Sequence, residues 1–272
     1  MLGLAAWWWM TGRGDDGSLR RVREAERFRV GYAVEAPFAF VDATGRVTGE
    51  APEVARRVAA QVGLERLEWR QYEFGELIGA LEDHEIDMVA AGMFVSAERA
   101  VRVRFSRPTC RVAQGLLVLA GNPRGLHSYG DIAGRGARVA IVAGSVEESL
   151  LEATGVPAER RVRVPDAAAG RAAVVSGFTD GLALSAPTIR WMLANGRAEG
   201  LEMAEPFEPM RQDGEEVAGY PAFVFRRGDR TLGEAWDRVL ETFLGSMEHR
   251  ELVRPFGIGE DELVHLTVKD VL

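Results

Sequence analysis

Apolar positions along this chain follow two periods that take turns. Residues 28–33 form a short apolar run that reads as a strand, and residues 38–47 read as a hairpin turning at Asp42-Ala43-Thr44-Gly45. Val54, Val58 and Val62 then recur four apart behind Pro52, which predicts a helix over Glu50–Val62. A strand at residues 67–69, a helix over 74–82 and a buried strand at 86–91 follow. Ser96 is placed to cap a helix through residues 97–101, ahead of a strand at 102–105. A second alternating block starts after the apolar run 114–120. Its strands are expected at 138–142, 161–164 and 181–184, and its helices start near Ser145, Asp166 and Ser185. A strand at 220–225 and helices over 232–244 and 247–253 complete the pattern. Strand–helix alternation in two blocks argues for α/β lobes with parallel sheets. The runs 114–120 and 220–225 flank the second block as two chain crossings between lobes would. The expected architecture is two α/β lobes joined by two strands around a cleft.

Composition narrows the function. With 272 residues, 47% hydrophobic, the chain has enough apolar material for a core and is not a disordered protein. A net charge of −8 leaves no basic field for phosphate backbones, so nucleic acid is not an expected partner. The single cysteine, Cys110, excludes an internal disulfide framework and a cysteine zinc cluster. Lys269 is the only lysine among 33 basic residues, which reads as a codon bias towards arginine.

The first ten residues, MLGLAAWWWM, are apolar but too few to span the roughly 20 residues a membrane helix needs. Three successive tryptophans suit a membrane interface. Residues 1–27 are therefore expected to be a leader and charged linker, with the apolar part the tail of an export signal or anchor. Gly12-Arg13-Gly14-Asp15-Asp16-Gly17 fits a dinucleotide-binding expression without the strand and helix that must flank it. The four histidines lack metal-ligand spacing, and no nucleophile elbow or P-loop occurs. No catalytic or metal residue and no cofactor is expected.

Two loops carry recognisable binding chemistry. Glu35-Ala36-Pro37-Phe38 follows the first strand, where open α/β sheets present ligand-facing residues. The stretch from Gly92 through Ser96 to Arg99 follows another strand and opens a helix. Its free backbone N–H groups suit an anion, and Arg99 adds a planar fork for a carboxylate. Gly144-Ser145 makes a comparable helix start in the second block.

Taken together these residues resemble, over about residues 28–265, the solute-binding proteins of ABC importers for polar amino acids, family 3, and within them the branch that binds ectoine and hydroxyectoine. The stretches that carry the resemblance are VGYAVEAPFAF at 30–40, residues 45–58, AAGMF at 90–94 with Glu98-Arg99, GNPRGLHSY at 121–129, VAGS at 142–145 and ELVRPFG at 251–257. The resemblance implies a two-lobed type II periplasmic binding protein, a Venus flytrap. Residues 28–118 and 219–272 would form one lobe and 119–218 the other. It also implies an extracytoplasmic monomer that closes on a small zwitterion and hands it to an ABC permease. Glu35 would accept hydrogen bonds from the ligand's amidinium, with Phe38, Phe74 and Phe94 as an aromatic cage. Arg99 would grip the carboxylate, with Gly92 and Ser96 beside it and Ser145 reaching in from the other lobe. Ser185 stands where α-amino-acid binders carry an Asp for the ammonium, which argues against an ordinary α-amino acid. The rival readings are a receptor for another polar amino acid, a ligand-sensing module, and an exported dehydratase of cyclic carboxylates on the same fold.

Overall fold

The computed structural model describes residues 15–195 and 200–272. The expected remnant of an export signal in residues 1–10 lies outside them. The segment read as a charged linker folds, over Ser18–Glu24, into a short helix, α1. Val22 is buried, Arg21 pairs with Asp229 at 2.7 Å, and the Arg23 guanidinium donates to the Val62 carbonyl at 2.7 Å. The segment is thus docked on the body of the protein.

From Phe28 the chain runs β1 (Phe28–Tyr32), the hairpin β2 (Phe40–Val41) and β3 (Val47–Thr48), α2 (Glu50–Val62) and β4 (Leu67–Gln71). A 3-10 turn at Phe74–Glu76 leads into α3 (Leu77–Glu82), then β5 (Met88–Phe94), the single turn α4 (Ala97–Ala100) and β6 (Val103–Phe105). The second block holds β7 (Gln114–Leu119), α5 (Tyr129–Gly134), β8 (Val139–Val142), α6 (Val146–Ala153), β9 (Arg161–Val164) and α7 (Ala167–Val175). It continues with β10 (Gly181–Ser185), α8 (Ala186–Ala194), β11 (Leu201–Met203) and a small hairpin, β12 (Arg211–Gln212) with β13 (Glu215–Glu216). Then come β14 (Pro221–Arg226), α9 (Arg230–Phe243), α10 (Met247–Val253) and α11 (Val268–Val271).

The strands assemble into two five-stranded sheets, β4-β1-β5-β14-β6 and β11-β7-β10-β8-β9. In each, four strands run the same way and the strand that enters after a crossing pairs antiparallel with both its neighbours. The core follows the sequence periods. Val54, Val58 and Val62 of α2 are buried towards the first sheet, and α9 brings in Trp236, whose ring packs on Phe28, Phe223 and Phe225. The continuous apolar run of β5 is buried on both faces, as the central strand of a covered sheet must be.

Three boundaries differ from the sequence expectation. β5 does not stop at residue 91 but runs on to Phe94, so Gly92 and Phe94 are strand residues. The run 114–120 is not a crossing but a strand inside the second sheet, and 220–225 lies inside the first. The crossing sits just outside them, where Val112 and Gly219 pair antiparallel, their N–H groups each donating to the other's carbonyl at 2.8 Å. Apolar runs mark sheet interiors, and the hinge beside them carries no such signal. Among the described residues, no helix is long and apolar enough to cross a membrane.

Candidate functional site

The two lobes meet across a cleft at the carboxyl ends of β1, β5, β8 and β10. A cavity of about 690 Å³ lies between them, lined on one side by Phe74, Phe94, Ser96 and Arg99, and on the other by Ser145 and Glu147. Five of the nine residues expected at the site therefore share one cavity.

Arg99 is set at the end of the β5–α4 turn, where Ser96 caps α4 by accepting the Arg99 N–H at 3.3 Å. Its guanidinium donates from Nη1 to the Phe94 carbonyl and from Nη2 to the Gly144 carbonyl of the opposite lobe, each at 2.7 Å. Arginine has five donors, so three remain for an anion. Burial pulls the guanidinium below its usual range, opposed by the charges of Glu147 and Glu98. The Phe74 ring lies 5.6 Å from the Arg99 carbon, within cation–π reach. The expected helix-dipole contribution shrinks, because α4 has only four residues and Ser96 already occupies one of its free N–H groups.

Ser145 behaves differently. It precedes α6 but makes no side-chain cap, and its Oγ is buried beside the Glu147 carboxylate. Its hydroxyl and the Glu147 N–H face the Glu147 carboxylate at the cavity wall. Here the chain also needs glycine. Gly144 has φ +78°, and a Cβ there would lie 2.9 Å from the Gly75 Cα of the other lobe. The lobes approach each other backbone to backbone at that point.

Phe38 and Gly92 stand behind the cavity wall. The Phe38 ring is buried and meets Phe94 edge-on, 6.4 Å between centroids at 85°. Gly92, at φ +66°, gives that ring its space, since a Cβ would come within 2.6 Å of it. Phe38 thus buttresses Phe94, and Gly92 buttresses Phe38.

Glu35 lines a neighbouring cavity of about 450 Å³ that shares Phe74 with the first. It is held by a chain of hydroxyls from the opposite lobe. Ser185 caps α8 by accepting the Thr188 N–H at 3.4 Å, and its Oγ lies 2.9 Å from Thr188 Oγ1. Thr188 Oγ1 in turn donates to Glu35 Oε1 at 2.9 Å. With the threonine proton on Glu35, Ser185 is left to donate to Thr188. Burial pushes Glu35 up to about 7, helped by the charge of Glu147 and opposed by Thr188. Ser185 therefore acts on the cleft through Thr188 rather than directly.

Two contributors escaped the sequence reading. Thr188 lies one turn beyond Ser185, and that i,i+3 spacing is the signal that would have found it. Glu147 is 5% exposed in the first turn of α6, where an acid reads as ordinary dipole compensation. Beside the cavity the lobes are also joined by an aromatic seam. Trp191 of α8 packs on Phe40 at 5.4 Å and on Phe256 at 6.4 Å, and its neighbour Arg190 pairs with Glu262 at 3.3 Å. Among the described residues no cluster of side chains could hold a metal ion.

Similarity to known proteins agrees with this geometry. The model of the bacterial extracellular solute-binding proteins, family 3, matches residues 28–257. A probable amino-acid ABC transporter periplasmic-binding protein of Sinorhizobium fredii is 32% identical over 242 residues, covering 88% of this chain and 80% of that protein. A probable amino-acid ABC transporter-binding protein of Haemophilus influenzae is 27% identical over 233 residues, 81% of this chain and 80% of that one. Among solved structures, EhuB in complex with hydroxyectoine superimposes with a TM-score of 0.85 at 29% identity, covering 95% of this chain and 98% of that chain. The two-lobed α/β architecture is that of the type II periplasmic binding proteins. The chain belongs to the bacterial extracellular solute-binding proteins, family 3.

Proposed function

We propose that this protein captures ectoine or hydroxyectoine, closing its lobes on the zwitterion. Its family makes it an extracytoplasmic solute-binding protein of an amino-acid ABC importer, with a small ligand and a membrane permease as partners. The finer reading rests on one observation above the others. Arg99, with three donors free, shares a cavity with Phe74 and Phe94, while the position facing Glu35 from the second lobe is filled by hydroxyls, Ser185 and Thr188. The likeness to the hydroxyectoine-bound structure supports the same reading.

A carboxylate docks on the Arg99 fork, and Ser145 meets it from the other lobe. A compact ammonium is strongly hydrated and wants a carboxylate with directed hydrogen bonds. A planar amidinium spreads its charge, slides between ring faces and points its N–H groups at Glu35. Each desolvated ring contributes about 0.5–2 kcal/mol of cation–π attraction. A micromolar site requires roughly −8 kcal/mol, towards which the rings, Glu35 and the Arg99 fork each contribute. Thermal denaturation with candidate ligands tests the reading. Ectoine or hydroxyectoine should raise the melting temperature well above the shift given by glutamine, arginine or histidine. A larger shift with any of those amino acids would overturn the ligand while leaving the family intact.

A further inference from the structure

The cleft holds one carboxylate more than a zwitterion needs. Arg99 answers the ligand's carboxylate and Glu35 its cation. Glu147, on α6 of the second lobe, lines the cavity and is left over. It is buried, and close enough to Glu35 for the two charges to oppose each other. With both acids ionised, Arg99, Glu35 and Glu147 sum to −1. A net-neutral ligand leaves that charge in a closed, desolvated space, which is strongly unfavourable. Resting on the reading above, we propose that Glu147 sets the ligand charge the cleft accepts: closing on a net-neutral zwitterion draws one proton from solvent onto the Glu35–Glu147 pair, whereas a ligand of net charge +1 closes the cleft without one.

The geometry supplies the coupling. Glu35 belongs to the first lobe and Glu147 to the second, so opening the cleft separates them and returns both to water. With the lobes together Glu147 is buried and Glu35 half-buried. Burial pushes both carboxyls up, Glu147 against the hydrogen bonds of its own N–H and of the Ser145 hydroxyl and against the pull of Arg99. The other charged groups around them are already engaged. Arg102 pairs with Glu82, Arg163 with Glu148 and Arg161 with Glu152. Asp166, beside Glu35's cavity, caps α7, and Glu73 and Glu76 there add only negative charge. Glu98 adds another on the Arg99 side, and the Tyr129 phenol, buried and held protonated by burial and by Glu147, supplies no positive charge. The sign follows. The closed state binds the extra proton, so closure strengthens as pH falls and weakens as pH rises through the raised values.

Two measurements decide it. Titration of the whole protein with ectoine at pH 6, in phosphate and in imidazole, should give heats differing by the buffers' ionisation enthalpies times about one proton. Affinity should fall by up to about tenfold per pH unit between pH 5 and 7, from the ordinary carboxylate range up to the value of about 7 to which burial raises Glu35, and level off above it. Glu147→Gln should abolish both effects and bind ectoine more tightly than wild type at pH 8.5. Equal heats in the two buffers, or a proton retained in Glu147→Gln, would overturn the proposal. The second measurement needs no ligand. X-ray scattering of the empty protein should show a smaller radius of gyration at pH 6 than at pH 8.5, and a small one at both values for Glu147→Gln. Identical wild-type profiles would overturn the coupling. If ectoine gives no heat at any pH, the ligand reading falls and the scattering result alone decides this one.

Discussion

The two walls of the cleft are built on different principles. The first lobe offers side chains of committed chemistry at a strand end and in the turns that follow its strands: the Arg99 guanidinium, the Phe74 and Phe94 rings, the Glu35 carboxylate. Phe38 and Gly92 are stacked behind to fix Phe94. The second lobe offers helix starts instead. Ser145 and Glu147 open α6, and Ser185 and Thr188 open α8. One wall identifies the ligand by charge distribution and ring faces. The other wall completes its hydrogen bonds and joins the lobes, through Gly144 to Arg99 and Thr188 to Glu35. Substitutions on the first wall should therefore change which ligand binds, and those among the second wall's hydroxyls and aromatic seam should change how firmly the cleft shuts, Glu147 being the one second-wall residue that bears on ligand charge.

The largest effect is expected at Arg99. Arg99→Ala leaves the ligand's carboxylate buried without its partner and should weaken binding by about 3–5 kcal/mol. Arg99→Lys keeps the charge but loses the fork, for a loss of at least about tenfold, or 1.4 kcal/mol. Wild-type affinity in the lysine variant by calorimetry would remove Arg99 as the anchor. Phe94→Ala should weaken ectoine binding by about 1–3 kcal/mol, losing ring attraction and buried apolar area together. If glutamine affinity dropped equally, the ring would not be reading the amidinium.

The second wall should respond more gently. Trp191→Ala breaks the seam with Phe40 and Phe256 and should cost about 0.5–1.5 kcal/mol of closing beyond its lost area. Its signature is a larger radius of gyration in the empty protein, with the order of ligand preference unchanged. Thr188→Val removes the donor to Glu35 and leaves Ser185 without an acceptor, weakening binding by about 0.5–1.5 kcal/mol. A change of preferred ligand in either variant would erase the division between the walls.

The same asymmetry governs what the chain reveals before folding. Period-four valines in α2 and the apolar run of β5 announce the elements, because burial of one face or both dictates their pattern. The first wall is readable since Glu35 and Arg99 sit in the loops and turns just after strands, where a charge is conspicuous. The second wall hides. Glu147 looks like any acid in a helix's first turn, and Thr188 like any polar helical residue, and only the meeting of two lobes distant in sequence gives them a role. The first crossing lies at Val112, ahead of the apolar run expected to form it, for a related reason. A crossing is a short backbone pairing with no side-chain period, and the apolar runs beside it belong to the sheets.

A crystal structure of the protein with ectoine tests the central claim most directly. The account predicts closed lobes, the carboxylate on the Arg99 fork, and the amidinium against Phe74 and Phe94 with its N–H groups on Glu35. A cation turned away from the rings towards Ser185 and Ser145, with the carboxylate off Arg99, would contradict it.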